Sequence, residues 1–295
     1  MNQIKQKANN EQSITIIMPA YNEEAAIGKV VSKIRTVVPD AEILVVDDCS
    51  EDNTSQAASD AGATVIRHPY NKGNGAAVKT GIRNASGEIL VTMDSDGQHN
   101  PEDIPRLIEK IGQYDMVVGA RMENKEGSVH RNFANRIYNS FATYLCGVKI
   151  HDLTSGFRAI KRDEARKFVY LLPNTFSYPT TITMALIRAG HNVMYEPVTV
   201  HRRIGKSKIS LFKDGFRFFL IMFRIISLFK PIKVFLPASI LCILLGLGNY
   251  IYTFIRFHRF TNMSALLLIA GINIFLLGLI AEQISQLRYD RSEDQ

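Results

Sequence analysis

Two long segments without charged residues lie near the C-terminus, and they constrain the fold more than any other feature of the chain. Residues 234–255 and 260–281 each contain 22 residues with no Asp, Glu, Lys or Arg. A helix of this length spans about 33 Å, close to the thickness of the hydrocarbon core of a bilayer. The segments therefore predict two transmembrane helices, which residues 256–259 join into a hairpin. The alternative is a pair of buried helices in a soluble domain, which seldom stay uncharged over such a length.

The segment that precedes the first span is strongly basic. Residues 201–233 contain nine Lys or Arg and one acid, Asp214, in a chain whose formal net charge is +7. Because positive loops stay on the cytoplasmic side of a membrane, the N-terminal part of the chain and the tail at 284–295 are predicted to be cytosolic. A basic segment can also bind nucleic acid, but beside membrane spans it favours an anionic membrane surface, and we predict no nucleic-acid partner.

Residues 209–230 combine apolar and basic side chains. Leu211, Phe219 and Phe223 are assigned to an apolar face, and Lys213 and Arg217 are spaced among them. This pattern is typical of a helix that lies in the membrane interface, so we predict an amphipathic juxtamembrane region at 206–232. A soluble amphipathic core helix is the alternative for the first half of this segment.

Short apolar runs alternate with helical segments between residues 13 and 119. The runs predict strands at 13–18, 42–46, 64–67, 88–93 and 115–119. Further along the chain, helices are predicted near 132–145 and 180–189, and a strand near 192–197. This alternation is typical of an α/β fold with a parallel sheet. Residues 1–12 are predicted to be a polar tail, since they lack the apolar core of a signal peptide.

Polar side chains follow four of the predicted strands, at 19–23, 47–48, 71–75 and 94–98. Such strand ends meet at one edge of a parallel sheet, where ligands bind. Asp94 and Asp96 are one residue apart, and Gly97 permits the chain to turn there. Paired carboxylates suit Mg²⁺ or Mn²⁺ held together with substrate phosphates, although an acidic turn without function is the simpler alternative. The three cysteines form no CxxC pair, so neither a disulfide nor a zinc site is predicted.

The glycines Gly73 and Gly75 raise a second possibility, a dinucleotide site. Their segment lacks the third glycine of the dinucleotide-binding pattern and follows the third strand rather than the first, so it is not typical of an NAD site. Two acidic clusters at neighbouring strand ends instead suit a nucleotide. Its base and ribose would lie at one cluster, and its diphosphate would lie on a metal ion at the other.

Seven motifs occur along the chain in the order MPAYNEE, VVDDCS, NKGNGAAV, MDSDGQH, VVGAR, DLTSGFR and HRRIGKSK. In this order they resemble the family 2 glycosyltransferases of the GT-A fold, and among these the polyprenyl-phosphate glycosyltransferases, which include dolichol-phosphate mannose synthases. The resemblance covers residues 13–210. It implies a Rossmann-like GT-A domain with a mostly parallel sheet at 13–205, followed by the juxtamembrane region, a two-helix membrane hairpin at 233–283 and the tail.

The resemblance also implies roles for individual residues. Catalytic roles fall to Asp94, Asp96, Arg121 and Arg131, of which Arg131 is expected to meet the acceptor phosphate. A divalent cation, Mg²⁺ or Mn²⁺, would be held by Asp94, Asp96 and Gln98. The nucleotide sugar would contact Pro19, Tyr21, Glu23, Asp48, Ser95, Arg202 and Lys208. Cys49 stands where the family commonly has glycine, and no loss is expected because its side chain is small.

The resemblance implies transfer of a sugar from a UDP- or GDP-sugar to undecaprenyl or dolichyl phosphate, with inversion at the anomeric carbon. A phosphate monoester is largely dianionic at neutral pH, since its second pKa is about 6. Such a nucleophile needs no general base, so the expected work of the protein is to align the substrates and to stabilise the leaving diphosphate. The predicted location is an integral, multi-pass protein of the inner or plasma membrane with its catalytic domain in the cytosol.

Two other functions are compatible with parts of the sequence. A processive polysaccharide synthase would carry a Q-x-x-R-W motif and more spans, whereas this chain contains no tryptophan. A catalytically silent membrane scaffold would be expected to have lost some of the acidic residues at the strand ends. Small residues in the two spans also predict a homo-oligomer.

Overall fold

The computed structural model describes residues 12–121, 139–200 (apart from 141, 145 and 176) and 231–293. The chain divides into two compact units, Met1–Lys208 and Ile209–Gln295, and each is described by itself below. The predicted juxtamembrane region lies outside the described residues except for its last two positions.

The described residues of the first unit form a seven-stranded sheet. Its strands are β1 (Ile14–Ala20), β2 (Glu42–Asp47), β3 (Thr64–Arg67), β4 (Ile89–Thr92), β5 (Met116–Arg121), β6 (Arg158–Lys161) and β7 (Val193–Val198). Their order across the sheet is β3-β2-β1-β4-β6-β5-β7. Neighbouring strands pair in parallel except where β6 runs antiparallel to both β4 and β5. The sheet is therefore mostly parallel, as predicted.

Helices connect most of the strands and cover the sheet. They are α1 (Glu24–Val37), α2 (Thr54–Asp60), α3 (Asn74–Asn84), α4 (Ile104–Ile108), α5 (Arg162–Phe168) and α6 (Tyr178–Arg188). Short 3-10 turns occur at Pro101–Asp103 and Val169–Leu171. The buried stripe of α1 shows the packing: Ile27, Val31 and Ile34 recur at helical spacing and join one core cluster with Ile16 and Val45 of the sheet.

Six of the seven strands lie where the apolar runs predict them, within about two residues at each end. Neither strand β6 nor helix α5 was predicted from the sequence. Strand β6 has no apolar run, because only its Ala159 and Ile160 are apolar. The predicted helix at 132–145 lies partly outside the described residues, although residues 139, 140 and 142–144 are helical.

The described part of the second unit is a hairpin of two helices, α7 (Ile232–Phe257) and α8 (Asn262–Glu293). Both are long and apolar enough to cross a membrane. Ser239 Oγ in α7 donates to the carbonyl oxygen of Gly271 in α8 at 2.8 Å. Near the turn, Asn249 Nδ2 donates to Thr261 Oγ1 at 3.1 Å and to Ser264 Oγ at 2.9 Å. These bonds tie the two helices at two levels.

Glycine allows the hairpin helices to approach closely. A Cβ atom at Gly246, Gly271 or Gly278 would lie within 3.0 Å of a side chain on the facing helix, whereas one at Gly248 would meet nothing within 4 Å. Three of these four glycines therefore lie at the contact between the two helices of the hairpin.

Candidate active site

The carboxyl ends of β2, β1 and β4 lie side by side at one edge of the sheet, since β1 pairs in parallel with both neighbours. Hydrogen bonds join these ends: the Asp48 amide donates to Ala20 O at 2.9 Å, and Ser95 Oγ donates to Pro19 O at 2.9 Å. The polar clusters at 19–23, 47–48 and 94–98 are therefore brought together, as the sequence predicts. The hydroxyl of Ser95 and the carbonyl of Pro19 are used to hold β4 to β1.

The loop after β1 is fixed to the loop after β2. The Asn22 amide donates to Ser50 Oγ at 2.9 Å, and Asn22 Oδ1 accepts from the Glu51 amide at 2.8 Å. The Glu23 amide donates to Thr54 Oγ1 at 2.9 Å. Tyr21 and Glu23 are half-buried beside these bonds, so both side chains lie at the edge of the sheet that the resemblance assigns to the nucleoside.

Asp48 anchors the loop that follows β3. One carboxylate oxygen bonds His68 Nδ1 at 2.7 Å and accepts from the Lys72 amide at 2.9 Å, while the other accepts from the Gly73 amide at 2.7 Å. Both oxygens of this buried carboxylate are thus engaged by the chain itself. Sequence reasoning treated Asp48 as a nucleoside contact and missed this role.

The segment of Gly73 and Gly75 is covered by residues 173–175. A Cβ atom at either glycine would overlap a backbone carbonyl oxygen of that segment, which explains why glycine is required at both. The Ala76 amide donates to Asn174 O at 3.2 Å, and Lys79 Nζ donates to Leu172 O at 3.1 Å. Carbonyl oxygens of the chain therefore cap the N-terminus of α3, where a dinucleotide would place its phosphates.

Asp94 lies at the end of β4, with 35% of its side chain exposed. Its Oδ2 atom is 3.5 Å from Nε2 of the buried His99. Burial raises the pKa of Asp94, but the hydrogen bond and charge of His99 and the charges of Arg121 and Arg158 lower it further, so the pKa falls below its ordinary value. Asp94 is therefore a carboxylate at neutral pH.

Asp96 is buried in the turn that follows. Its Oδ1 atom accepts from the Gln98 amide at 3.1 Å, and Gly97 between them has a φ of 74°, which favours glycine. The side chain of Gln98 is half-buried beside this turn.

The residues at this turn fit a divalent cation. Gly156 lies against Asp94, and a Cβ atom there would sit 2.9 Å from both carboxylate oxygens, so the glycine leaves the carboxylate room. Among the described residues no three His, Cys, Asp or Glu side chains form a complete metal-binding group. Carboxylate and amide oxygens such as those at this turn suit an Mg²⁺ or Mn²⁺ ion that also binds substrate phosphates.

Arg121, the last residue of β5, is held by Asp152. Arg121 Nε donates to Asp152 Oδ2 at 2.7 Å, and Arg121 Nη2 donates to Asp152 Oδ1 at 2.9 Å. Burial raises the pKa of Asp152, but Arg121 lowers it further, and the pKa ends below its ordinary value. Sequence reasoning named Arg121 but assigned no role to Asp152, although Asp152 opens the DLTSGFR motif.

Arg158 in β6 is 1% exposed and lies behind the site. Its Nη1 atom donates to Pro179 O at 2.9 Å and to Thr183 Oγ1 at 3.0 Å, and its Nη2 atom donates to Ser155 O. These acceptors are neutral, so the guanidinium adds a buried positive charge close to Asp94 and Asp152, which both interact with it.

His99 joins the turn of Asp94 and Asp96 to Val200. It forms an isolated antiparallel bridge with Val200, and its ring packs on Phe157 with a centroid distance of 5.1 Å. Val200 directly precedes the HRRIGKSK motif in the sequence. Arg131, Arg202 and Lys208 themselves lie outside the described residues.

The mostly parallel sheet, with polar loops at the carboxyl ends of neighbouring strands, defines an α/β domain of the kind that binds nucleotides. The chain belongs to glycosyltransferase family 2, whose family model matches residues 15–168. A second model, the GtrB C-terminal hairpin, matches residues 230–287. This match and the two apolar helices indicate that the protein is associated with a membrane.

Relatives of this chain include named sugar transferases. The undecaprenyl-phosphate mannosyltransferase of Micrococcus luteus is 30% identical over 212 residues, which cover 67% of this chain and 87% of the relative. The polyprenol monophosphomannose synthase of Mycolicibacterium smegmatis is 31% identical over 218 residues, which cover 68% of this chain and 82% of the relative. The relatives are thus named as transferases of sugars to polyprenyl phosphates.

A solved structure supports the fold. The glucosyl-3-phosphoglycerate synthase of Mycobacterium tuberculosis, in complex with Mn²⁺, UDP and glucosyl-3-phosphoglycerate, superposes with a TM-score of 0.59 and 21% identity. The match covers 71% of this chain and 77% of that chain. The predicted GT-A fold is confirmed.

Proposed function

We propose that this protein transfers a sugar from a UDP- or GDP-sugar to a polyprenyl phosphate, with undecaprenyl and dolichyl phosphate as the acceptors to test. The observation that carries the proposal is the placement of Asp94 and Asp96 beside the loops of Tyr21 and Asp48, at one edge of a family 2 glycosyltransferase sheet. The names of the two relatives support the lipid acceptor.

The nucleoside would bind at the ends of β1 and β2. Tyr21 and Glu23 supply side chains at this edge, while Pro19 and Ser95 hold β1 to β4 beneath it. Since both oxygens of Asp48 are engaged by the loop of residues 68–73, Asp48 would act on the nucleoside by fixing that loop.

Asp94, Asp96 and Gln98 would hold Mg²⁺ or Mn²⁺. When bound, the cation neutralises charge on the departing nucleoside diphosphate. The lowered pKa of Asp94 supports this role, because a carboxylate that stays ionised is ready to bind a cation at neutral pH. Arg202 and Lys208, which follow the His99–Val200 bridge, would close over the diphosphate.

The acceptor phosphate would meet Arg131, and Arg121 would lie near the donor phosphates or sugar. One of its oxygens forms a bond to the anomeric carbon as the bond from that carbon to the diphosphate breaks, so the nucleoside diphosphate leaves and the configuration inverts. No proton has to be removed from the dianionic nucleophile, which agrees with the absence of a general base from the proposed set. The chain's contribution is to align two anions and to offset their charge.

The domains would be arranged for a lipid substrate. Residues 13–205 form the catalytic domain in the cytosol, residues 206–232 lie at the interface, and the hairpin at 233–283 crosses the inner or plasma membrane, with 284–295 as a cytosolic tail. A homo-oligomer also belongs to this proposal, and native mass spectrometry from lipid nanodiscs tests it: a monomer at all protein concentrations would rule it out.

A donor and acceptor panel tests the proposed function. Purified protein is incubated with Mg²⁺ or Mn²⁺, each UDP- or GDP-hexose, and undecaprenyl or dolichyl phosphate, and the lipid product is identified by mass. A single sugar on the lipid phosphate, with the anomeric configuration opposite to that of the donor, is expected. Sugar polymer would indicate a polysaccharide synthase, and neither product nor release of nucleoside diphosphate would indicate a silent scaffold.

A further inference from the structure

The Arg121 side chain forms three hydrogen bonds, although 39% of it is exposed. Besides its two bonds to Asp152, its Nη2 atom donates to Thr154 Oγ1, and its backbone amide donates to Asp152 Oδ2 at 3.2 Å. Nε and Nη2 are therefore occupied on one edge of the guanidinium. In the described part of the chain, Nη1 forms no hydrogen bond.

The loop that carries Asp152 is itself fixed to β5. Asp152 Oδ1 accepts from the amides of Thr154 at 3.1 Å and Ser155 at 3.2 Å. Ser155 Oγ donates to Gly119 O at 2.7 Å, two residues before Arg121 on the same strand. The buried Arg158 donates a hydrogen bond to the Ser155 carbonyl oxygen. Asp152 therefore has no freedom to follow a moving Arg121, and it holds Arg121 against the strand.

We propose that Asp152 is a positioning residue that fixes Arg121 in one orientation, with Nη1 directed to a phosphate group of the substrates. This inference rests on the proposed function. The pair carries no net charge, so Asp152 does not strengthen the attraction of the site for anions. Its effect is to order a long side chain before the substrates bind, which removes that entropy cost from the reaction.

The expected kinetic effect is on turnover. Loss of the carboxylate frees Arg121 to adopt other rotamers, which lowers the fraction of enzyme with the arginine in place. Since the rotamer entropy of an arginine corresponds to a factor of about 10 to 30, Asp152→Asn is expected to lower kcat by about that factor, with KM for the donor changed by less than about threefold.

A matched control lies at the other end of the same strand. Asp115 directly precedes β5 and pairs with Lys161 Nζ at 2.6 Å, and its Oδ2 atom accepts from the Asn192 amide at 2.9 Å. Asp115, like Asp152, is a mostly buried acid that joins a cation to a neighbouring segment, but it lies at the opposite edge of the sheet. Asp115→Asn is expected to leave kcat and Arg121 unchanged.

Two measurements on the full-length protein in detergent test the inference. Modification of Arg121 by phenylglyoxal, followed by peptide mass spectrometry, reports whether the guanidinium is held, and it needs no activity. Asp152→Asn is expected to speed this modification several-fold, while Asp152→Glu restores part of the protection. An unchanged rate in Asp152→Asn would overturn the inference even if sugar transfer is established.

The kinetic measurement uses Arg121→Gln as a background. As a single variant, Asp152→Asn is expected to lower kcat. Added to Arg121→Gln in a double variant, it is expected to cause no further loss. An equal loss in both backgrounds, or a kcat within twofold of wild type, would overturn the inference. If Asp152→Asn does not fold, Thr154→Val, which removes one bond to Arg121, is expected to show a smaller change in both measurements. If the wild-type protein transfers no sugar, the proposed function fails and the phenylglyoxal measurement still decides whether Asp152 holds Arg121.

Discussion

Gly156 lies directly against the carboxylate of Asp94. A Cβ atom at Gly156 would be 2.9 Å from each Asp94 oxygen, and Thr92 Oγ1 holds the Gly156 carbonyl in place with a bond of 2.7 Å. Asp94 follows β4 by two residues and Gly156 precedes β6 by two, and these strands pair antiparallel with Thr92 opposite Arg158. The position of the proposed cation ligand therefore depends on a glycine that is distant in sequence.

Gly156→Ala is expected to displace the Asp94 carboxylate. Sugar transfer should fall about tenfold or more, and the Mn²⁺ concentration that gives half-maximal activity should rise, because a ligand has moved. Gly28→Ala in α1 is the control, since a Cβ atom there would lie 3.5 Å from Ala57 O of α2, which is an ordinary van der Waals contact. A titration with Mn²⁺ checks both variants, and wild-type cation dependence in Gly156→Ala would contradict the assignment of Asp94.

Cys49→Gly is expected to stabilise the catalytic domain by about 0.5–1 kcal/mol. Cys49 has a φ of 66°, a left-handed conformation that costs a residue with a Cβ about 1–2 kcal/mol. Glycine avoids this cost, but its unfolded chain is more flexible, and this offsets part of the gain in stability. From the sequence, no loss is expected at Cys49 because its side chain is small. The stability effect expected here comes from the backbone angle instead. Chemical unfolding checks this change. Cys49→Ala retains the Cβ and should give no gain, so equal stabilisation by both would contradict the backbone explanation.

Asp48→Asn is expected to destabilise the catalytic domain by about 1–3 kcal/mol, since an amide has one acceptor oxygen and leaves the half-buried N–H of Lys72 or Gly73 without its partner. Urea unfolding measures this change. The control is Asp60→Asn at the exposed end of α2, where the carboxylate accepts from Gln56 Nε2. Weaker donor binding with unchanged stability would instead indicate that Asp48 touches the nucleoside directly.

Gly271→Ala is expected to loosen the membrane hairpin. A Cβ atom there would lie 2.6 Å from Ile243 Cγ1 and 3.1 Å from Ser239 O, so the helices must separate at a cost of about 1–3 kcal/mol. Gly248→Ala is the matched control, because nothing lies within 4 Å of its Cβ position. Thermal unfolding in one detergent compares the two. Equal melting temperatures would show that the hairpin does not depend on this contact.

The sequence predicted the parts of the molecule that have local signals. Buried parallel strands are runs of apolar residues, and the acidic clusters at their ends are visible without a structure. The roles of Asp152 and Arg158 were not visible, because their partners are distant: Arg121 precedes Asp152 by 31 residues, and Thr183 follows Arg158 by 25. Strand β6 was missed for the same reason, since a buried arginine in a short strand resembles a surface loop until its acceptors are known.

Transfer of labelled sugar into the lipid phase tests the central claim most directly. Wild-type protein and Asp96→Asn are compared with the same labelled nucleotide sugar, polyprenyl phosphate and Mn²⁺, and a further wild-type sample contains EDTA. The wild type with Mn²⁺ is predicted to give labelled lipid. Asp96→Asn and the EDTA sample are predicted to give at least about a hundredfold less, because each removes stabilisation of the leaving diphosphate. No labelled lipid from the wild type with any donor, or full transfer by Asp96→Asn, would contradict the account.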